Sequence, residues 1–199
     1  MSLIIPNPYP QKDYSRLTGL AGISDAQLAV HFGLYAGYVA NTNKFNDLIA
    51  QLSKNGQTGT HPWAETNRRL GWEYNGMRLH EYYFENLHPG GKGNPGPRLN
   101  AALEKSFGGF ETWKNDFIAN GSMRGIGWVI LYRDPKTGIV SNHWITEHDQ
   151  GHPAGFTPIL VLDVFEHAFM VDYKPAERRK YIDAFFANLN WDEIESRMA

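Results

Sequence analysis

Apolar residues recur with a helical period through the first half of the chain. The β-branched texture of strands appears only later. After Ser24, residues Leu28, Phe32, Tyr35, Val39, Phe45, Leu48 and Ile49 fall at near-helical spacings. Ser24 with Gln27 three places on reads as a capping box, and Lys54-Asn55-Gly56 as a stop. This predicts a long helix from Ser24 to about Leu52, regular between His31 and Tyr38. A second helix begins near Pro62, a good first-turn residue, and carries Leu70, Trp72, Met77, Leu79, Tyr83 and Leu87. Gly71 and Gly76 inside it have a use if they permit close packing against the first helix.

The run from Pro89 to Pro97 is the clearest linker. Two short helices follow, near 98–106 and 111–120, separated by Gly108-Gly109. Residues 126–133 and 138–146 read as strands around an Asp134-Pro135-Lys136-Thr137-Gly138 turn, with a third strand at 157–162. Helices resume after Glu166 and occupy 176–188 and 192–198. With an irregular arm at residues 1–23, the order predicts an α+β protein. A long N-terminal α-helical hairpin, domain 1–90, precedes a mixed α/β domain, 91–199, with a small antiparallel three-stranded sheet.

Composition narrows the chemistry. A net charge of -2 gives no basic surface for nucleic acid. No cysteine is present, which excludes disulfides, thiolate zinc sites, iron–sulfur ligation and a cysteine nucleophile. A metal would need nitrogen and oxygen ligands. No apolar run is long enough to span a bilayer, and Pro6, Pro8 and Pro10 interrupt the start, so the expectation is a cytoplasmic protein without a membrane partner. Aromatic content of 14% fits either a well-filled core or dimer interface, or a shell around a reactive centre.

The candidate chemistry lies in the histidines. Asp163-Val164-Phe165-Glu166-His167 sets a carboxylate and an imidazole four residues apart at the exit of an apolar strand. His31 and His80 sit within the two long helices among large apolar residues. Three imidazoles and one carboxylate suit iron, manganese or zinc rather than calcium or magnesium. Singly, each has a plainer reading as a hydrogen-bonded core histidine or a surface ion pair. An oxygenase or hydrolase with two histidines and a carboxylate is another class.

The stretch Asp163-Val164-Phe165-Glu166-His167-Ala168 resembles the D-x-W/F-E-H-A signature of iron/manganese superoxide dismutases. The resemblance extends through His31 with Tyr38-Val39-Ala40-Asn41, Asn75-Gly76 with His80, Gly125-Ile126-Gly127-Trp128 and Asn188-Leu189-Asn190-Trp191. It implies one Fe or Mn ion, iron first, held by His31, His80, Asp163 and His167. It also implies superoxide as substrate. Gly76 stands where relatives can place a glutamine beside the bound solvent, so that role passes to His148, or to His143 if the alignment shifts. The gateway tyrosine is Tyr38 or Tyr35. Trp128 and Tyr83 fall in the aromatic shell, and Phe165 replaces a common tryptophan. Met170 stands where a tyrosine usually crosses the dimer. Glu166 is retained, which implies a homodimer with Glu166 against the partner subunit's His167. A metal-binding homodimer without turnover is the rival. His61, His88 and His152 are assigned no role.

Overall fold

Ser24 opens the first helix as its sequence predicts. Its hydroxyl accepts from the Gln27 amide at 3.0 Å, and α1 runs unbroken over Asp25–Lys54. The computed structural model describes residues 8–199; the part of the predicted arm in residues 1–7 lies outside the described residues. The buried stripe of α1 includes Leu28, His31, Tyr35, Val39, Thr42, Asn46 and Ile49. These follow one another at steps of three and four, the signature of a single helix face. Helix α2, His61–Glu85, packs along it. Tyr35 meets Glu81 and Asn41 meets Glu73, so the two helices are antiparallel. Leu87, read as part of the second helix, lies just beyond it and bridges to Leu189.

Helices α3, Pro97–Phe107, and α4, Phe110–Gly121, lead into the sheet. Strand β1, Trp128–Arg133, is central, with β2, Val140–Ile145, and β3, Thr157–Asp163, antiparallel on either side. The first strand starts two residues later than its texture suggests. Gly127 has φ 131°, and a Cβ there would run into the Ile145 carbonyl oxygen, so only glycine fits. The Asp134 turn forms as expected, its carboxylate accepting from the Lys136 amide at 2.9 Å. Register places Trp128 opposite Ile145 on one side and Asp163 on the other.

The helix expected directly after Glu166 is a single 3₁₀ turn, Glu166–Ala168. Regular helix returns only with α5, Arg178–Ala187, and α6, Trp191–Ser196. The motif Asn188-Leu189-Asn190-Trp191 zips onto the linker: the His88 backbone amide donates to the Asn188 carbonyl at 2.8 Å and the Lys92 amide to that of Leu189 at 2.9 Å. Arg197, nearly buried, donates to Asn86 Oδ1 at 2.6 Å and to the Ile159 carbonyl at 3.1 Å. Asn86 in turn donates to the Val161 carbonyl at 2.7 Å. The end of α2 is thereby locked against β3, which fixes His80 relative to Asp163. Among the described residues, no helix is long and apolar enough to cross a membrane.

Candidate metal centre

Asp163 closes β3, and His167 lies in the turn that follows; α1 and α2 bring His31 and His80 to the same point. One carboxylate oxygen, Asp163 Oδ2, faces three imidazole nitrogens. It lies 3.1 Å from Nε2 of His31, 3.2 Å from that of His167 and 3.7 Å from that of His80. All four ligand atoms fall within 4.8 Å of one another. The other oxygen, Oδ1, accepts from the Phe165 amide at 2.8 Å, which aims the carboxylate.

His80 tests whether a cation fits. Its Nδ1 lies 2.6 Å from the Gly76 carbonyl, so Nδ1 is the donor and Nε2 keeps its lone pair. That Nε2 is buried and has no hydrogen-bond partner among the described residues. An unpaired nitrogen in a buried site is costly, and a cation shared with Asp163 satisfies it. Burial drives the His31 and His80 imidazoliums below their ordinary range, and for His80 well below it, with neighbouring His31 adding to the effect. Burial alone would raise the Asp163 carboxyl. His167 beside it, with hydrogen bonds from His167 and His31, reverses this and holds it well below the usual carboxylate range. Burial lowers His167, but the Asp163 charge, its hydrogen bond and the Glu166 charge together outweigh it and raise the imidazole overall. The set is a carboxylate with imidazoles, and the His167 proton competes with a cation for the same place.

Aromatic rings wall the site. Phe165 stacks on His167 with centroids 5.3 Å apart, Trp128 meets His80 edge-on at 5.1 Å and Tyr83 leans on His31 at 4.9 Å. Tyr38 lies 5.0 Å from the His80 ring. His148 is fully buried behind it. The Trp128 indole, a donor only, reaches His148 Nδ1 at 3.0 Å. A neutral His148 therefore carries its hydrogen on Nε2 and donates it to the Tyr38 oxygen, 2.8 Å away. The Tyr38 hydroxyl hydrogen is left for another acceptor. Burial pushes the His148 imidazolium down to about 4, which keeps the ring neutral near pH 7.

Of the two candidate tyrosines, the fold brings Tyr38 to His148 and turns Tyr35 away. The Tyr35 hydroxyl donates to Glu81 at 3.0 Å and accepts from the Lys12 amide at 3.1 Å. Helix α1 is α-helical through His31 and Tyr38, without a bulge. His143 lies on β2 with Nε2 2.8 Å from the Ser141 hydroxyl, beside Tyr132 rather than the four ligands. Gly76 has the use expected of it, because a Cβ there would come within 2.6 Å of the Tyr38 ring; Gly71 has nothing within 4 Å. Glu166 is exposed beside His167.

Two supports are not legible in sequence. Gln27 does not close the capping box with its side chain. It donates instead to the His167 carbonyl at 2.6 Å and accepts from the Val171 amide at 2.9 Å, tying α1 to the turn that carries a ligand. Its one signal is a polar residue on the buried side of α1. Tyr181 donates to the Asp163 carbonyl at 2.8 Å, with the Tyr83 hydroxyl 3.0 Å away. Nothing in sequence separates it from a plain core tyrosine.

A carboxylate and three histidines around one point, clasped between a helical hairpin and a small sheet, form a site that could hold one metal ion with nitrogen and oxygen ligands. Residues 95–197 match the family described as iron/manganese superoxide dismutases, C-terminal domain. The chain is 37% identical over 191 residues to an iron superoxide dismutase of Aquifex pyrophilus, covering 94% of this chain and 89% of that one. It is 36% identical over 189 residues to a manganese superoxide dismutase of Haloarcula marismortui, with the same coverage of 94% and 89%. An iron superoxide dismutase of Saccharolobus solfataricus is 35% identical over 181 residues, covering 88% of this chain and 85% of that one. The chain belongs to the iron/manganese superoxide dismutase family.

Proposed function

We propose that this protein is a superoxide dismutase, converting superoxide to dioxygen and hydrogen peroxide with one iron or manganese ion held by His31, His80, Asp163 and His167. The observation that carries it is the convergence of three imidazole nitrogens on one carboxylate oxygen, with His80 Nε2 buried and otherwise unpartnered among the described residues. When bound, the ion supplies a one-electron couple; zinc in the same shell would not.

The chain's own residues supply the rest. A single Asp163 carboxylate among imidazoles only partly offsets a divalent or trivalent charge, so the centre attracts a small anion. Peroxide formation consumes protons. With His148 donating to the Tyr38 oxygen, the Tyr38 hydroxyl hydrogen is available to an oxygen in the site. Burial raises the Tyr38 phenol above its ordinary range, so it stays protonated at neutral pH. Four protein ligands behind an aromatic wall suit a diatomic substrate better than an organic one. A groove of about 540 Å³ lies outside α1 along Gln11–Ser15 and is lined by none of the four ligands.

Iron and manganese both stay in the proposal, because relatives named for each are similarly close, 37% and 36% identical. The reading includes a cytoplasmic homodimer with Glu166 at the interface. Its support is the exposure of Glu166 beside Met170 and Val171, which are 46% and 51% exposed. The test is dismutation by protein loaded separately with iron and with manganese. Rapid, peroxide-yielding turnover with either ion supports the proposal and names the working metal. Tight binding of both with turnover in neither would favour a non-catalytic metal-binding homodimer.

A further inference from the structure

We infer that His152, which touches none of the four ligands, is a positioning residue for His148. The inference rests on the dismutase reading for what His148 does, and on separate contacts for how it is held. His148 lies between β2 and β3, where no strand partner fixes the main chain. Four residues on, the His152 ring reaches back. Its Nε2 is 2.7 Å from the His148 carbonyl oxygen and its Nδ1 is 2.5 Å from the Tyr132 hydroxyl. A carbonyl only accepts, so Nε2 carries the hydrogen and Nδ1 of the neutral ring accepts from Tyr132.

Tyr132 is a rigid anchor. It is buried in the central strand, paired with Ser141 on one side and Pro158 on the other. Through His152 it fixes the backbone of residue 148, while Trp128, from the start of the same strand, fixes the ring. Residue 148 is thus held twice from β1, once by main chain and once by side chain. Slack in the first bond is felt at the second, because the Trp128 indole cannot follow a drifting ring. His148 then presents its Nε2 hydrogen to Tyr38 only while both hold.

Hydrogen exchange at the tryptophan indoles, followed by NMR on the full chain prepared without metal, tests this. In His152→Ala the Trp128 indole hydrogen exchanges about tenfold faster, the scale of one lost hydrogen bond. The Trp113 indole, which donates to Asn142 at 3.0 Å, keeps its rate. His152→Gln, whose amide can donate to the same carbonyl, restores most of the protection. An unchanged Trp128 rate, or an equal rise at both indoles, overturns the assignment. The readout needs no turnover, so an inactive wild-type enzyme would count against the dismutase reading alone.

Discussion

The Tyr38 ring occupies the space in which residue 76 would carry a side chain: a Cβ on Gly76 would stand 2.6 Å from its nearest ring carbon. The two helices therefore allow either the Tyr38 ring in this position or a side chain at 76, and this chain has the ring. Gly76→Ala is expected to destabilise by about 1–3 kcal/mol through overpacking, despite alanine's better helix propensity. It should also pull Tyr38 away from His148. Tyr38→Ala in the same chain relieves the clash, so the double variant should be more stable than the sum of the single changes predicts. Urea unfolding of the four proteins checks this; additive effects would mean that the ring yields freely.

The two tyrosines of α1 should separate cleanly. Tyr38→Phe keeps the ring and removes the hydroxyl that meets His148, so turnover should fall at least about tenfold. Tyr35→Phe removes a hydroxyl bound to Glu81, which keeps Lys12 and Arg78 as partners. It should cost about 1 kcal/mol of stability and leave turnover unchanged. Stopped-flow dismutation and thermal unfolding of both variants decide; a larger loss of turnover in Tyr35→Phe would reverse the roles.

Metal should act as a stabilising ligand through Asp163. An ion present at a hundred times its dissociation constant adds about 2.7 kcal/mol to the folded state. Stripping it with a chelator should lower the melting temperature, and adding it back should restore the loss. Asp163→Asn removes the charge on which three imidazoles converge, so its melting temperature should barely respond to iron or manganese. An Asp163→Asn variant that responds as strongly as wild type would place the ion elsewhere.

Acid should unfold the metal-free protein early. His148 titrates at about 4 in the fold against an ordinary 6.5, so the unfolded chain takes up this proton first as pH falls. The resulting loss lies between about pH 6.5 and 4 and amounts to roughly 3 kcal/mol. Buried His31 and His80 shift in the same direction. His167 shifts upward, so its contribution is present below 6.5 and is lost as pH rises through its folded value. Burial lowers His143 as well, so four downward shifts oppose one upward, and denaturant midpoints should be lower at about pH 5 than at about pH 7.5. Equal midpoints would mean that these rings titrate freely.

The helix positions are legible because burial on a helix repeats every three to four residues, and Leu28, Tyr35, Val39 and Ile49 keep that rhythm. The strands are legible from their β-branched runs around the Asp134 turn. The four ligand candidates are individually ambiguous, since a buried histidine looks the same in sequence whether or not it meets a carboxylate. Only their resemblance to a family's order singles them out. What stays hidden depends on distant partners. Gln27 reads as half of a capping box because its real partners, His167 and Val171, are about 140 residues away. His152 reads as a loop histidine between Gly151 and Pro153 because its anchor, Tyr132, lies on another element. The choice between Tyr35 and Tyr38 turns on Glu81 and His148, neither of which is local. The 3₁₀ turn after Glu166 replaces an expected helix because the segment's amides are used locally and on Gln27 rather than in a longer repeat.

The wide separation of the ligands in the chain also sets a schedule. His31 and Asp163 are 132 residues apart, so a ribosome adding roughly 5–20 residues per second makes the histidine on the order of ten seconds before the carboxylate. During that interval the emerging hairpin carries two imidazoles and no charge to complete the shell. Such a pair favours copper, nickel or zinc over iron or manganese on affinity alone. The discriminating shell closes only when β3 and the turn after it dock. On the proposed ligand set, selection of the ion would therefore be a late event in the life of the chain, made by its last third on a surface that its first half has already laid out.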